Sequence, residues 1–213
     1  MALITAFTKQ LAAASSNGIA TSQSGTANTP LTLTSATVKI DTATAANVAV
    51  GRRVVVAYSG SDCNWTVVGT NSTGNIITDT IVGSSGAGQS NLDFVTVSSV
   101  TPAGNVTAAT VGTNGVGSSP WVAFNWSGYA PMNIGFAVEV VSGSANFTIQ
   151  HTYDDPNNLP AGVLFPLAFN DLVVTGQTAT VDSASTTPIT ALRLLINSGT
   201  GELRTRFLQA GAG

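Results

Sequence analysis

Residues Asn64 to Gly83 read NWTVVGTNSTGNIITDTIVG. Branched and aromatic residues alternate with Thr on both sides of Asn71-Ser72-Thr73-Gly74, a short polar loop ending in Gly. Side chains of this kind suit a pleated, half-buried surface, and the loop suits a tight reversal, so the stretch reads as a β-hairpin. The pattern continues on either side. Upstream, Arg52 to Tyr58 is a Val-rich run with a polar start. Leu31 and Leu33 share one parity while Ala36, Val38 and Ile40 share the other, which implies a bulge or break near Ser35. Downstream come Phe94–Val100 and Val106–Val111, separated by the turn Pro102-Ala103-Gly104. Strands arriving about every ten residues with turn signals between them are the mark of sandwiches and barrels.

From Val111 to Pro120 the chain is VGTNGVGSSP, uncharged and rich in Gly and Ser, as expected of a boundary. Beyond it, Phe136, Val138 and Val140 alternate along one run. Phe147, Ile149, His151 and Tyr153 alternate along the next, after the turn Ser142-Gly143-Ser144. Ile189–Ile196 and Leu203–Leu208, joined by Asn197-Ser198-Gly199-Thr200-Gly201, read as a closing hairpin. The expected fold is all-β: two small β-sandwich modules, Ig-like or jelly-roll-like, over residues 31–113 and 114–213. Residues 1–30 precede them as an N-terminal arm and linker. In the arm, Leu3, Ile4, Phe7 and Leu11 fit either one side of a short amphipathic helix or an extended arm with apolar pegs. Residues 15–30 have the Ser, Gly, Thr and Asn composition of a linker.

Composition narrows the function classes. The chain of 213 residues has 7 Lys+Arg against 10 Asp+Glu, and charged residues make up 8% where about a quarter is usual. No basic excess is present to neutralise a phosphate backbone, so nucleic-acid binding is not expected. One Cys cannot form an internal disulfide, and one His leaves no His/Cys zinc cluster. No apolar run approaches the ~18 residues of a membrane helix. Lys9 follows Leu3, Ile4 and Phe7, the reverse of a secretory signal, so synthesis in a cytosol is expected.

Each candidate for chemistry has a plain structural counterpart. His151 lies near Asp154 and Asp155, and a His beside a carboxylate can be a general base. Yet it shares parity with packed aromatics and has no nucleophile motif. Asp154 to Asn158 offers oxygen ligands, but Asp and Asn also dominate turns by bonding their own backbone. Cys63 reads as a small packed hydrophobe. Trp121, Trp126 and Tyr129 form either a sugar-stacking platform or core and interface anchors. Glu202, Arg204 and Arg206 share parity and should make a polar face paired with acids of a neighbouring subunit. Neither an enzyme activity, a cofactor nor a metal is expected.

Sheet edges are usually guarded by Lys, other charges or Pro. This chain has two Lys, Lys9 and Lys39, and its strands are dressed in Thr and Ser. Either loops cover the edges or the Thr-rich strands are merely soluble enough, or the protein is packed permanently into an assembly. Trp65 to Gly83 resembles a hairpin signature of tailed-bacteriophage virion proteins, a run of the form TVTGTDxxGNxITETVxG. The following FVTVSSVTPAGNVTAATVGT fits the same β-sandwich module, and the stretch from Pro120 to Gly211 is similar to the sandwich halves of such proteins. The resemblance implies a virion component without catalytic residues, a capsid decoration (cement) protein or a tail part. It would be made in the bacterial cytoplasm, would contact major capsid or tail subunits, and would form a homo-oligomer such as a trimer. The assembly contacts expected are Leu3, Ile4, Phe7, Leu11, Trp121, Trp126, Arg204 and Arg206. The second reading is a tail-associated module that binds host-surface glycan through the aromatics from Trp121 to Tyr129.

Overall fold

The computed structural model describes residues 3–39, 50–124, 133–158 and 166–210. These residues are all-β, with no helix among them. In chain order the strands are β1 (Leu3–Gln10), β2 (Ser15–Gly25), β3 (Val38–Lys39), β4 (Gly51–Ser59), β5 (Asn64–Thr70), β6 (Ile76–Val82), β7 (Ala87–Phe94) and β8 (Thr96–Pro102). They continue as β9 (Val106–Ser118), β10 (Val122–Ala123), β11 (Asn133–Ser142), β12 (Ala145–Thr152), β13 (Phe169–Asn170), β14 (Val181–Ser185), β15 (Ala191–Gly199) and β16 (Glu202–Ala210). The chain folds as two compact modules. One holds residues 12–39 and 50–117, the other residues 3–11 and 118–210.

In the first module β9–β4–β7, with β2 along β9, forms one sheet and β3–β8–β5–β6 the other. The Asn64–Gly83 stretch is the expected hairpin, in register from Asn64↔Val82 to Thr70↔Ile76. Its reversal is set by the Asn71 side chain, whose Oδ1 accepts hydrogen bonds from Thr73 N–H (3.0 Å) and Asn75 N–H (3.0 Å). Gly74 supplies a positive φ of 83°. Trp65, Val67, Ile77 and Ile81 point inward and are buried, and Tyr58 meets Trp65 at 5.3 Å between ring centroids. Cys63 lies in this core as expected: its N–H donates to Tyr58 Oη (3.0 Å) and its Sγ accepts from Gly104 N–H (3.2 Å).

A bulge between Val68 and Gly69 shifts the β5–β8 register. There the carbonyl oxygen of Thr96 lies 1.9 Å from where a Cβ on Gly69 would sit, so only Gly fits. The obstacle is backbone, not a side chain that can swing away. Gly69→Ala should therefore cost about 1–3 kcal/mol, read as a lower urea midpoint at unchanged slope.

In the second module β1–β16–β11–β14 faces β13–β12–β15, the latter with β10 on β15. Phe136, Val138, Leu203 and Phe207 from one sheet and Phe147, Ile149, Leu192 and Leu194 from the other are buried. Two expectations are corrected here. The closing hairpin is not one: β15 pairs with β12, and β16 pairs with β11. The chain crosses from sheet to sheet at Gly199–Gly201, as it does at Gly143, so both links are arches. Period two specifies which side chains face inward but not which strand lies alongside.

The second correction concerns residues 1–30. The segment read as an arm and linker is built into the modules. β1 adds to β16 in continuous antiparallel register from Leu3↔Gln209 to Gln10↔Glu202. β2 runs along β9. Phe7 packs edge-on against Phe207 at 5.7 Å, Leu11 is 1% exposed, and Ile4 points outward at 68% exposure. The apolar spacing thus belongs to a strand and the residue following it, not to one side of a helix. Deleting residues 1–10 should destabilise the second module by at least about 2 kcal/mol through the lost Phe7 burial. For a chain of this size that lowers the melting temperature by roughly 4–8 °C, where a free arm would leave it unchanged.

Candidate functional site

The second module's two sheets end on one side in the edge strands β14 and β13. The inward positions of β14 are read from its register, which sets Ser183 opposite Phe136 and Ser185 opposite Ile134, both buried. A filled sandwich would carry branched apolar side chains there. Ser fills far less volume, and a cleft of about 320 Å³ remains between β14, the end of β12 and the segment following β13.

One wall of the cleft is aromatic. His151 stacks on Phe169 (5.6 Å between centroids, 21° between planes) and meets Tyr153 edge-on at 5.5 Å. Tyr153 and Phe169 are themselves 5.6 Å apart. The sequence reading placed His151 and Tyr153 on a packed face, but Tyr153 is 52% exposed and His151 is half-buried. Beside them, Asp171 organises a tight turn. Its Oδ1 accepts from Val173 N–H (2.9 Å) and Val174 N–H (2.8 Å), and its own N–H donates to Ile149 O (2.8 Å). Val174 is thereby buried while Leu172 stands almost wholly in solvent. Phe169, Asp171 and Leu172 were missed from the sequence; the one available signal was an Asp two and three residues before Val173 and Val174 in a short polar–apolar segment.

Burial lowers the His151 pKa from the ordinary 6.5, with the charge of Asp171 opposing it. The imidazole makes no hydrogen bond among the described residues, so no described hydroxyl is held against it as a nucleophile would be.

The other sequence candidates lie apart. Trp121 is half-buried under the Arg193 guanidinium, 4.6 Å from its ring centroid, and Arg193 Nε donates to Gln150 Oε1 (2.9 Å). Trp126 and Tyr129 lie outside the described residues. Arg204 and Arg206 form the expected outward face, but their partner is within the chain: both donate to Glu139 Oε2, at 3.2 and 3.4 Å. Leu3 begins β1, and its side chain is outside the described set. Asp154 Oδ2 accepts from Leu167 N–H (2.7 Å) and Asp155 Oδ1 from Asn157 N–H (2.9 Å), so these acids hold turns. Among the described residues no group of His, Cys, Asp and Glu could hold a metal.

Neither the models of known protein families nor the curated proteins match the chain.

The lowered His151 pKa has a thermodynamic sign. The unfolded chain takes up a proton near pH 6.5 and the folded chain at lower pH, so stability falls as pH drops below 6.5 and levels off beneath the folded value. His151→Gln should flatten that segment of the stability–pH curve, as measured by urea titrations at a series of pH values. Equal slopes in the two proteins would contradict the assignment.

Proposed function

We propose that the chain is a non-enzymatic structural protein of a tailed-bacteriophage particle, a decoration subunit that binds its neighbours through neutral sheet faces. The observation that carries this is the outer face of β5 and β6. Asn64, Thr66, Val68 and Thr70 lie beside Val82, Thr80, Thr78 and Ile76 in register, without one charged residue among them. Ile76 and Val82, at opposite ends of β6, are 77% and 72% exposed. On β8 the face continues through Ser99, opposite Val68, and Thr101, opposite Thr66.

A surface of hydroxyls and methyl groups has no electrostatic repulsion to keep a second protein away, and hydroxyls that find hydrogen-bond partners in the contact cost less to desolvate than charges. Such a face suits permanent packing against a capsid or tail subunit, or against another copy of the chain. The resemblance of Trp65–Gly83 to virion hairpins points the same way. For the glycan reading centred on Trp121 to Tyr129, Arg193 covers one face of the Trp121 ring, and Trp126 and Tyr129 lie outside the described residues.

Mass spectrometry of gradient-purified particles from the source lysate should recover this chain in amounts comparable with other structural proteins. Its absence from the particles overturns the proposal. A variant with Thr66→Lys and Ile76→Lys should melt within about 0.5 kcal/mol of the parent, since both positions are exposed. Its incorporation should fall by at least about tenfold, because an unpaired charge would be buried at the contact.

A further inference from the structure

We propose that the cleft between β12, β14 and the Asp171 turn is a binding site for a neutral saccharide. The inference goes beyond the assembly role and rests on different residues in the other module.

The shape of the site follows from sequence. Ser183 and Ser185 occupy inward positions where a sandwich needs bulk, so the gap is a property of the chain's own pattern. Its inner end is closed by Ile189 and Leu192, which are 2% and 1% exposed. At about 320 Å³ it falls at the small end of ligand sites, the size of one or two sugar rings.

The lining matches the two-sided chemistry of a sugar. A pyranose presents a C–H face, which packs on an aromatic ring, and an equatorial rim of hydroxyls, which must be hydrogen-bonded. Tyr153 offers a half-exposed ring that is held at its edge by His151 and Phe169, so little side-chain freedom is lost on binding. For the rim, the cleft presents the His151 imidazole, the Ser183 hydroxyl and the Asp171 carboxylate. The imidazole makes no hydrogen bond among the described residues, and Asp171 uses Oδ1 for its turn.

Charge selects among ligands. Among the described residues of the lining Asp171 is the one charged residue, and none is Lys or Arg. An anionic ligand such as a phosphate or sialic acid would meet a carboxylate without a counter-ion. A purely apolar ligand would leave the hydroxyls and imidazole without partners, at a desolvation cost. The neutral polyol with an apolar face satisfies both walls.

The chain contains a single His, so its imidazole C–H signals in NMR report on this cleft alone. The full-length protein would be titrated with neutral mono- and disaccharides of glucose, galactose, mannose and N-acetylglucosamine, each to about 10 mM, a generous ceiling for a single-sugar site. At least one should shift the His151 signals saturably. Tyr153→Ala should weaken that ligand by about tenfold or more while the melting temperature stays near the parent's. Ser183→Leu, which places bulk in the cleft, should abolish binding without loss of stability. If none of these sugars moves the His151 signals, or if the shift survives in both variants, the proposal is wrong. Saturable shifts with sialic acid or inorganic phosphate and none with neutral sugars would also overturn it. Loss of particle incorporation in the charged-face variant leaves this titration unaffected, so the two proposals fail separately.

Discussion

The second module depends on two sheet-to-sheet crossings that meet at one end. Gly143 and Gly199 adopt positive φ values of 68° and 92°, and Gly201 N–H donates to Ser144 O at 2.9 Å. A Cβ on Gly201 would come within 2.8 Å of the Ser144 backbone, so the two links pack too closely for side chains. Both links cross, and β11 pairs with β16 in one sheet while β12 pairs with β15 in the other. The inward residues of each pair then face each other across the sandwich, Phe136 and Phe207 on one side and Phe147 and Ile149 on the other. Had either link been a hairpin, that partition would fail and four fully buried aromatic or branched side chains would lose their opposing layer.

The same partition leaves β16 with a free flank, and β1 takes it. Strand addition at that flank satisfies β16's backbone groups and covers the Phe207 ring, which Phe124 meets from another side at 6.2 Å. Backbone pairing and apolar burial are achieved together, so the first residues of the chain are part of a core and not an appendage to it. At the other end of that sheet no further strand pairs with β14 among the described residues; its outward positions include Asp182 and Ala184, and its inward positions are Val181, Ser183 and Ser185. One edge of the sheet is completed by the chain itself and the other opens onto the cleft.

How much of this could be read in the sequence varies with the kind of information involved. Parity was legible: Leu203 and Phe207 are buried while Arg204 and Arg206 face out, as their spacing requires. The Asn71–Gly74 reversal was legible because the chemistry of a turn is local. Pairing partners were not. A strand's alternation is the same whether its neighbour is the next strand or one sixty residues away, so the arches at Gly143 and Gly199 and the docking of β1 left no mark. The cleft was illegible for the same reason. Its rings come from His151 and Tyr153, with Phe169 packed against both, and its polar wall from Ser183, which a sequence reading takes for ordinary strand decoration. Arg204 and Arg206 show the limit from the other direction: the outward face was correct, but Glu139 became their partner through cross-strand register that the sequence does not encode.

The scarcity of charge then has a structural meaning. Charged side chains in this chain are engaged chiefly in fixing backbone. Asp62 accepts from Ser85 N–H (2.8 Å), Asp79 from Asn91 and Leu92 N–H (2.6 and 3.1 Å), and Asp171 from Val173 and Val174. Arg53 bonds Asp93 at 2.6 Å and Ser90 O at 2.9 Å, and the buried Arg52 guanidinium donates to the carbonyls of Ala13 and Asn114. Hydrogen bonds to charged groups contribute about 1.5–3 kcal/mol each, roughly twice a neutral one, so a few such residues hold many loops. Asp79 also reaches the N–H groups of β7, an edge strand of the opposite sheet, and so guards that edge from inside the module. With these charges committed to turns and edges, the outer face of β5, β6 and β8 is left to Asn, Thr, Ser, Val and Ile, while Glu139, Arg204 and Arg206 stand on the outer face of β11 and β16. A free monomer would need charge on those faces to stay apart from its copies. The assembly role proposed above would remove that need, because a face covered by a neighbour requires no charge of its own.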